Sequence, residues 1–191
     1  MAANDTRQQI IDAADRLFYE QGFESASFAD IAAAVGLSRG NFYYHFKTKD
    51  EILAAVIALR RDRTRSMLNQ WEAEGATPAE RIRGFIQILI RNQTQIMAYG
   101  CPVGTLCNEL AKLDHAAKAD AAQLFVLFRD WLSQQFTALG RGPDAQALAL
   151  HVLMRSQGVA ALATAFHDEA FIRREVADME AWLDAQSPAY I

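Results

Sequence analysis

Ser27-Phe-Ala-Asp-Ile-Ala-Ala-Ala-Val-Gly-Leu-Ser-Arg-Gly-Asn-Phe-Tyr-Tyr-His-Phe-Lys-Thr-Lys49 packs the start signals of three helices into one short run. Ser27 offers a side-chain acceptor to the open amides of a helix start, and Asp30 stands three residues on, as in a capping box. Phe28, Ile31, Ala32 and Val35 then fall on one face, and Gly36 supplies the stop. Ser38 repeats the start signal behind Leu37, which is spaced to staple onto Phe42. The helix it opens is short, Arg39 to His45, with Phe42 and Phe46 turned inward. Thr48 opens the next helix, and Glu51 completes a second box. A supporting helix, a glycine turn and a stubby second helix make a helix-turn-helix.

With both phenylalanines facing in, Arg39, Gly40, Asn41, Tyr43, Tyr44 and His45 remain at the N-terminal end and on the outer sides of the short helix. These residue types suit a DNA groove. Arg39 can bond guanine edges or a phosphate, and Asn41 can bond adenine. Gly40 lets another backbone approach closely. Tyr43 can lie against a thymine methyl or reach a phosphate, and Tyr44, His45 and Lys47 are placed for phosphate oxygens, with the Ser38 cap beside them. Helix amide ends at Ser27 and at Thr48–Lys49 are expected to form anion sites, the Lys49 charge adding to the second. The net charge of −4 opposes nonspecific nucleic-acid binding, so the local distribution matters more. From Gly36 to Lys49 there is no acidic residue, while Arg39, Lys47 and Lys49 give +3. Packing competes as a reading for each aromatic, because adjacent tyrosines beside phenylalanines also suit a core rim.

Outward from this stretch the periodicity is helical throughout. A first helix runs from about Thr6 to Gln21, with Ile10, Ala14, Leu17 and Phe18 on one face and Gly22 as its stop. The helix from Thr48 continues to about Glu74. Thr77-Pro78-Ala79-Glu80 starts another, read as unbroken to about Tyr99. Pro102 opens a helix to about Leu113, Asp114 is read as the cap of one ending at Leu139-Gly140, and Gly142-Pro143 opens the next. Asp168 caps the last, ending near Ala185. The fold class is therefore all-α. An N-terminal helix-turn-helix domain, residues 1–52, is joined through the long helix to a larger domain, residues 53–191.

Composition narrows the functional class. With 51% hydrophobic and 22% charged residues the chain folds as a globule. No apolar run is long enough to cross a bilayer, and the N-terminus lacks the layout of a secretion signal, so the reducing cytoplasm is the expected compartment. No HExxH, CxxC, phosphate-loop or dinucleotide glycine pattern occurs, and none of His45, His115, His151 and His167 lies near Cys101 in sequence. An enzyme is not expected, nor is a cofactor or a metal.

Phe28-Ala-Asp-Ile-Ala-Ala-Ala-Val-Gly-Leu-Ser-Arg-Gly-Asn-Phe-Tyr-Tyr-His-Phe-Lys-Thr-Lys-Asp-Glu-Ile-Leu53 resembles the DNA-binding segment of the TetR/AcrR family of repressors, and Ala13-Ala14, Leu17-Phe18 and Gly22-Phe23 fit the same pattern. The resemblance is specific over roughly residues 6–55; beyond that only the helix layout is similar. It implies base contacts from Arg39, Gly40, Asn41 and Tyr43. It implies phosphate contacts from Ser27, Tyr44, His45 and Lys49. It also implies a homodimer through the last two helices, releasing double-stranded DNA when a small effector moves the long helix.

The last two helices also read independently as an interface or as an internal core. The first of them carries Ala147, Leu150, Met154, Gly158, Ala161, Leu162 and Ala165; the second carries Phe171, Ile172, Val176, Met179, Trp182 and Leu183. Two-fold pairing would give a four-helix bundle and hold two reading helices one DNA turn apart, about 34 Å, over a near-palindrome. Candidate effector contacts are Phe85, Leu89, Gln93, Met97, Cys101, Leu106, Phe125, Phe128 and Gln157, a set that equally suits core packing. The segment from Gly100 to Leu110 resembles one found in a branch of the family, some of whose members sense electrophiles or oxidants through its cysteine. Cys101 precedes a proline-opened helix, as such a thiol would; Thr105 stands where that pattern has lysine.

Overall fold

The computed structural model of the chain describes residues 2–186, with the side chains of 5–38 and 40–186. Its α-helices are α1 (Ala2–Gln21), α2 (Phe28–Ala34), α3 (Arg39–His45), α4 (Lys49–Glu74), α5 (Pro78–Ile86), α6 (Ile88–Arg91), α7 (Gln93–Tyr99), α8 (Pro102–Lys112), α9 (Lys118–Phe136), α10 (Ala145–Phe166) and α11 (Glu169–Asp184). Among the described residues there is no strand, and no helix is long and apolar enough to cross a membrane.

The chain divides into two compact units: Met1–Arg63 with Thr105–Ala122, and Thr64–Gly104 with Gln123–Ile191. Residues 53–63 and 105–122 thus pack with the first fifty residues, and α4 and α8 each contribute to both units. In the first unit, Ile10, Ala14, Leu17 and Phe18 of α1 meet Ile31, Phe42, Phe46, Ile52, Leu53 and Val56, with Leu106 and Leu110 of α8 closing the cluster. Arg60, buried on α4, bonds the Asp15 carboxylate of α1 at 2.6 Å; Arg63 bonds Asp12 and Asp15, both at 2.7 Å. In the second unit, α10 buries Val152, Leu153, Ser156, Val159, Ala160 and Ala163, and α11 buries Ile172, Val176, Met179 and Leu183. Trp71, Phe85, Phe128 and Trp131 form an aromatic cluster there, with ring centroids 5.5–6.3 Å apart.

Two readings of the helix layout are corrected. The stretch 78–99 is not one helix: it breaks at Gln87 and Asn92. Near Gln87 the ladder tightens, Ile90 N–H reaching back three residues to the Gln87 carbonyl, and Asn92 leaves helical geometry at φ −109°, ψ 16°. Polar side chains beside the breaks are committed to α11, Gln87 to Glu180 at 2.6 Å and Gln93 to Glu169 at 2.9 Å. Asp114 does not cap α9. It sits at φ +48°, and α9 begins at Lys118. The first open amide goes instead to His115, whose Nδ1 accepts from Ala117 N–H at 3.0 Å.

Candidate nucleic-acid interface

The helix-turn-helix forms from the local signals that specify it. Ser27 Oγ accepts from Asp30 N–H at 3.1 Å, and the Asp30 carboxylate accepts from Ser27 N–H at 2.9 Å and from the Ser27 hydroxyl at 2.6 Å. Those bonds from Ser27, side chain first and backbone second, hold the Asp30 carboxyl below the usual carboxylate range. Gly36 ends α2 at φ +65°, its N–H on the Ala33 carbonyl and that of Leu37 on the Ala32 carbonyl. Ser38 Oγ then accepts from Asn41 N–H at 3.4 Å to open α3.

Phe42 and Phe46 are buried, at 0% and 1% exposure, and Phe42 meets the edge of Phe28 at 4.7 Å. The opposite side of α3 is open. Gly40, Asn41, Tyr43, Tyr44 and Lys47 are exposed, Tyr44 most of all at 73%, and His45 is half-buried with Tyr44 edge-on to it at 5.2 Å. Tyr43 rests one face on Phe28 at 5.1 Å and keeps 37% of its surface exposed. The packing reading of Tyr43 and the surface reading therefore both hold. The Arg39 side chain lies outside the described residues.

Gly40 has a helical backbone, and a methyl group built on it would meet nothing within 4 Å. Glycine inside a helix costs about 1 kcal/mol relative to alanine. Nothing described within the unit requires glycine there.

The expected anion sites turn out to be filled from within. At Ser27 the carboxylate of Asp30 already occupies the helix start. At the head of α4, Thr48 Oγ1 accepts from Glu51 N–H at 3.1 Å, and the Glu51 carboxylate takes Lys47 N–H at 2.7 Å. Lys49 faces inward. Its ammonium donates to the carbonyls of Phe23, Glu24 and Ala26 at 2.8, 3.1 and 3.3 Å and sits 4.4 Å from the centre of the Phe23 ring. Lys49 is thus a clamp on the turn between α1 and α2, and among the described side chains of α3 and the turn after it the outward ammonium is that of Lys47. The Lys47 ammonium donates to the Tyr43 carbonyl at the end of α3, which complements the helix dipole.

One residue that local reasoning missed belongs to the same turn. The Glu109 carboxylate on α8 accepts from Phe23 N–H at 2.8 Å and from Glu24 N–H at 2.9 Å. Nothing in the neighbourhood of Glu109 in the sequence signals this; the only trace is Gly22.

Residues 10–56, the span of α1 to α4 just described, match the sequence model of bacterial regulatory proteins of the tetR family. Over that span the chain is similar to the tetR family. A helix-turn-helix transcriptional regulator from the lacX 3′ region of Lactococcus lactis is 28% identical over 137 residues, covering 71% of this chain and 70% of that one. TtgR, a helix-turn-helix transcriptional regulator of Pseudomonas putida, is 46% identical over 55 residues, 29% of this chain and 26% of TtgR. That higher identity extends over about a quarter of TtgR's length. A TetR transcriptional regulator from Legionella pneumophila shares the fold, with TM-score 0.80 and 23% identity over 94% of this chain and 95% of that one. TetR-family proteins are transcriptional regulators and not enzymes.

In this chain the candidate effector residues do not form one group. Leu106 lies in the core of the first unit, because α8 turns that face toward α1 and α4, and it is removed from the set. Phe85, Leu89 and Phe128 are buried in the second unit, Phe85 edge-on to Phe128 at 5.5 Å. Met97 and Phe125 are half-buried, as is Gln93, whose Oε1 is buried without a hydrogen-bond donor. Cys101 and Gln157 are brought together: Gln157 Nε2 donates to Cys101 Sγ at 3.5 Å, and Gly104 N–H donates to the same sulfur at 3.5 Å. A methyl group at position 104 would lie 2.4 Å from Gln157 Oε1, so the glycine makes room for the amide.

Proposed function

We propose that this regulator is a sequence-specific repressor that reads a near-palindromic operator as a homodimer and lets go when a small effector binds. In this reading residues 1–52 contact DNA and residues 53–191 bind the effector and pair the subunits. The observation that carries it is the polar outer face of α3, exposed from Gly40 to Lys47 around a half-buried His45, over two buried phenylalanines. The absence of acidic residues from Gly36 to Lys49 and the open space above Gly40 support the same surface. Selection of tight-binding duplexes from a random pool tests it. A selected half-site should emerge, and Arg39→Ala should relax base preference at one position, costing about 1–3 kcal/mol. An unchanged preference in that variant would remove Arg39 from base reading.

Pairing through α10 is supported by its unpartnered side. Leu150, Met154, Leu162 and Phe166 are 47%, 64%, 44% and 66% exposed and stand four or eight residues apart, with Gly158, Ala161 and Ala165 among them. A stripe of large apolar side chains interleaved with small residues suits close helix pairing. The apolar residues of α11, by contrast, are spent inside their own unit.

The effector class this reading favours is a soft electrophile captured at Cys101. The sulfur is half-buried and bordered by two N–H donors, so adduct formation has to push the Gln157 amide aside. In that step sulfur bonds the electrophilic carbon of a conjugated alkene, the π electrons pass to the neighbouring carbon, and the thiol proton goes to solvent with one returned to that carbon. N-ethylmaleimide should release selected DNA from the wild type and leave Cys101→Ser bound, as read by fluorescence anisotropy. Equal release from both would assign effector sensing elsewhere.

A further inference from the structure

The six residues between α1 and α2, Gly22 to Ser27, are held from outside by two charged side chains. Gly22 turns at φ +92°, which favours glycine, and a methyl group there would stand 3.0 Å from a Glu109 oxygen, so the carboxylate would have to give way. Behind it Phe23 and Glu24 point successive N–H groups into one concavity, the kind of backbone nest that binds anions. Glu109 fills it with both oxygens, at 2.8 and 2.9 Å. Lys49 takes the carbonyls on the other side. Phe23, 4% exposed, lies under the Lys49 ammonium and against the edge of His115 at 5.2 Å; His115 Nε2 is 3.4 Å from Asp50. The turn is held by an acid from α8 and a base from α4, and it delivers the chain into the Ser27 cap.

We infer that Glu109 is a positioning residue for DNA recognition. Its carboxylate seats the turn from which α2 starts, and so sets the pose of α2 and α3 as a pair. Base reading needs atoms placed to a few tenths of an ångström, whereas phosphate attraction tolerates a tilted pair. Loss of the carboxylate therefore degrades specific binding and spares nonspecific binding. The inference rests on the DNA-reading function proposed above.

Glu109→Gln keeps the size but turns a donor toward one of the two amides. On the full chain, well below its unfolding midpoint, affinity for the selected duplex should fall ~10-fold, the effect of losing one charge-assisted hydrogen bond. Affinity for a random-sequence duplex and the salt slope should stay at wild-type values, since no phosphate contact is lost. Glu109→Asp, which keeps the charge, should recover part of the preference. Wild-type specificity in Glu109→Gln overturns the inference, as does a parallel loss on both duplexes. Should the wild type itself show no preference, the DNA-reading proposal falls and this inference with it.

Discussion

Phe42→Ala is expected to lower stability by about 3–5 kcal/mol, the range for truncating a buried phenylalanine in a core that cannot collapse around the gap. Phe42 has no exposed surface, meets Phe28 edge-on at 4.7 Å, and belongs to a cluster drawn from α1, α2, α3, α4 and α8. The cavity would open under α3, the helix proposed to contact the operator. Thermal unfolding should report a midpoint lower by roughly 6–20 °C, and operator binding should be lost at temperatures where the second unit is still folded. A change within a degree or two would mean that α3 is anchored by something other than this ring.

Placing glutamate at both Leu150 and Met154 should have an effect of similar size on function with little on the fold. Both side chains already face solvent in the isolated chain, at 47% and 64% exposure, so each subunit should keep its unfolding midpoint. Two like charges facing their own copies across a two-fold would oppose pairing. Joining two half-site readers typically multiplies affinity by about 10²–10⁴, and that factor should vanish. Sedimentation should show a monomer, and gel shifts on the full operator should need protein concentrations raised by the same factor. A variant that sediments as a dimer would place the interface off this stripe.

What was legible in the sequence was what short-range chemistry decides. The caps at Ser27, Ser38 and Asp168, the stops at Gly22 and Gly36, and the inward turn of Phe42 and Phe46 each depend on residues within a turn or two. The same locality made the helix of residues 78–99 look continuous: no proline or glycine follows Gly84 until Gly100, and the breaks at Gln87 and Asn92 coincide with bonds to α11 that span 93 and 76 residues. Lys49 read as a free cation because its carbonyl partners lie 23 to 26 residues earlier. Glu109 was silent because its partners are 85 and 86 residues away. Leu106 was assigned by helix periodicity alone, which gives the face of a helix but not which core that face meets.

Gly104 has one more implication, for inheritance. A larger residue there meets the end of the Gln157 side chain at 2.4 Å, so that flexible amide has to move, and any change that shortens Gln157 uncovers the Cys101 sulfur. A substitution at either position alters what borders the sulfur. Among descendants of this gene, an alanine at 104 should therefore settle more readily beside a smaller residue at 157, and a lineage that abandons the cysteine should be free to change both.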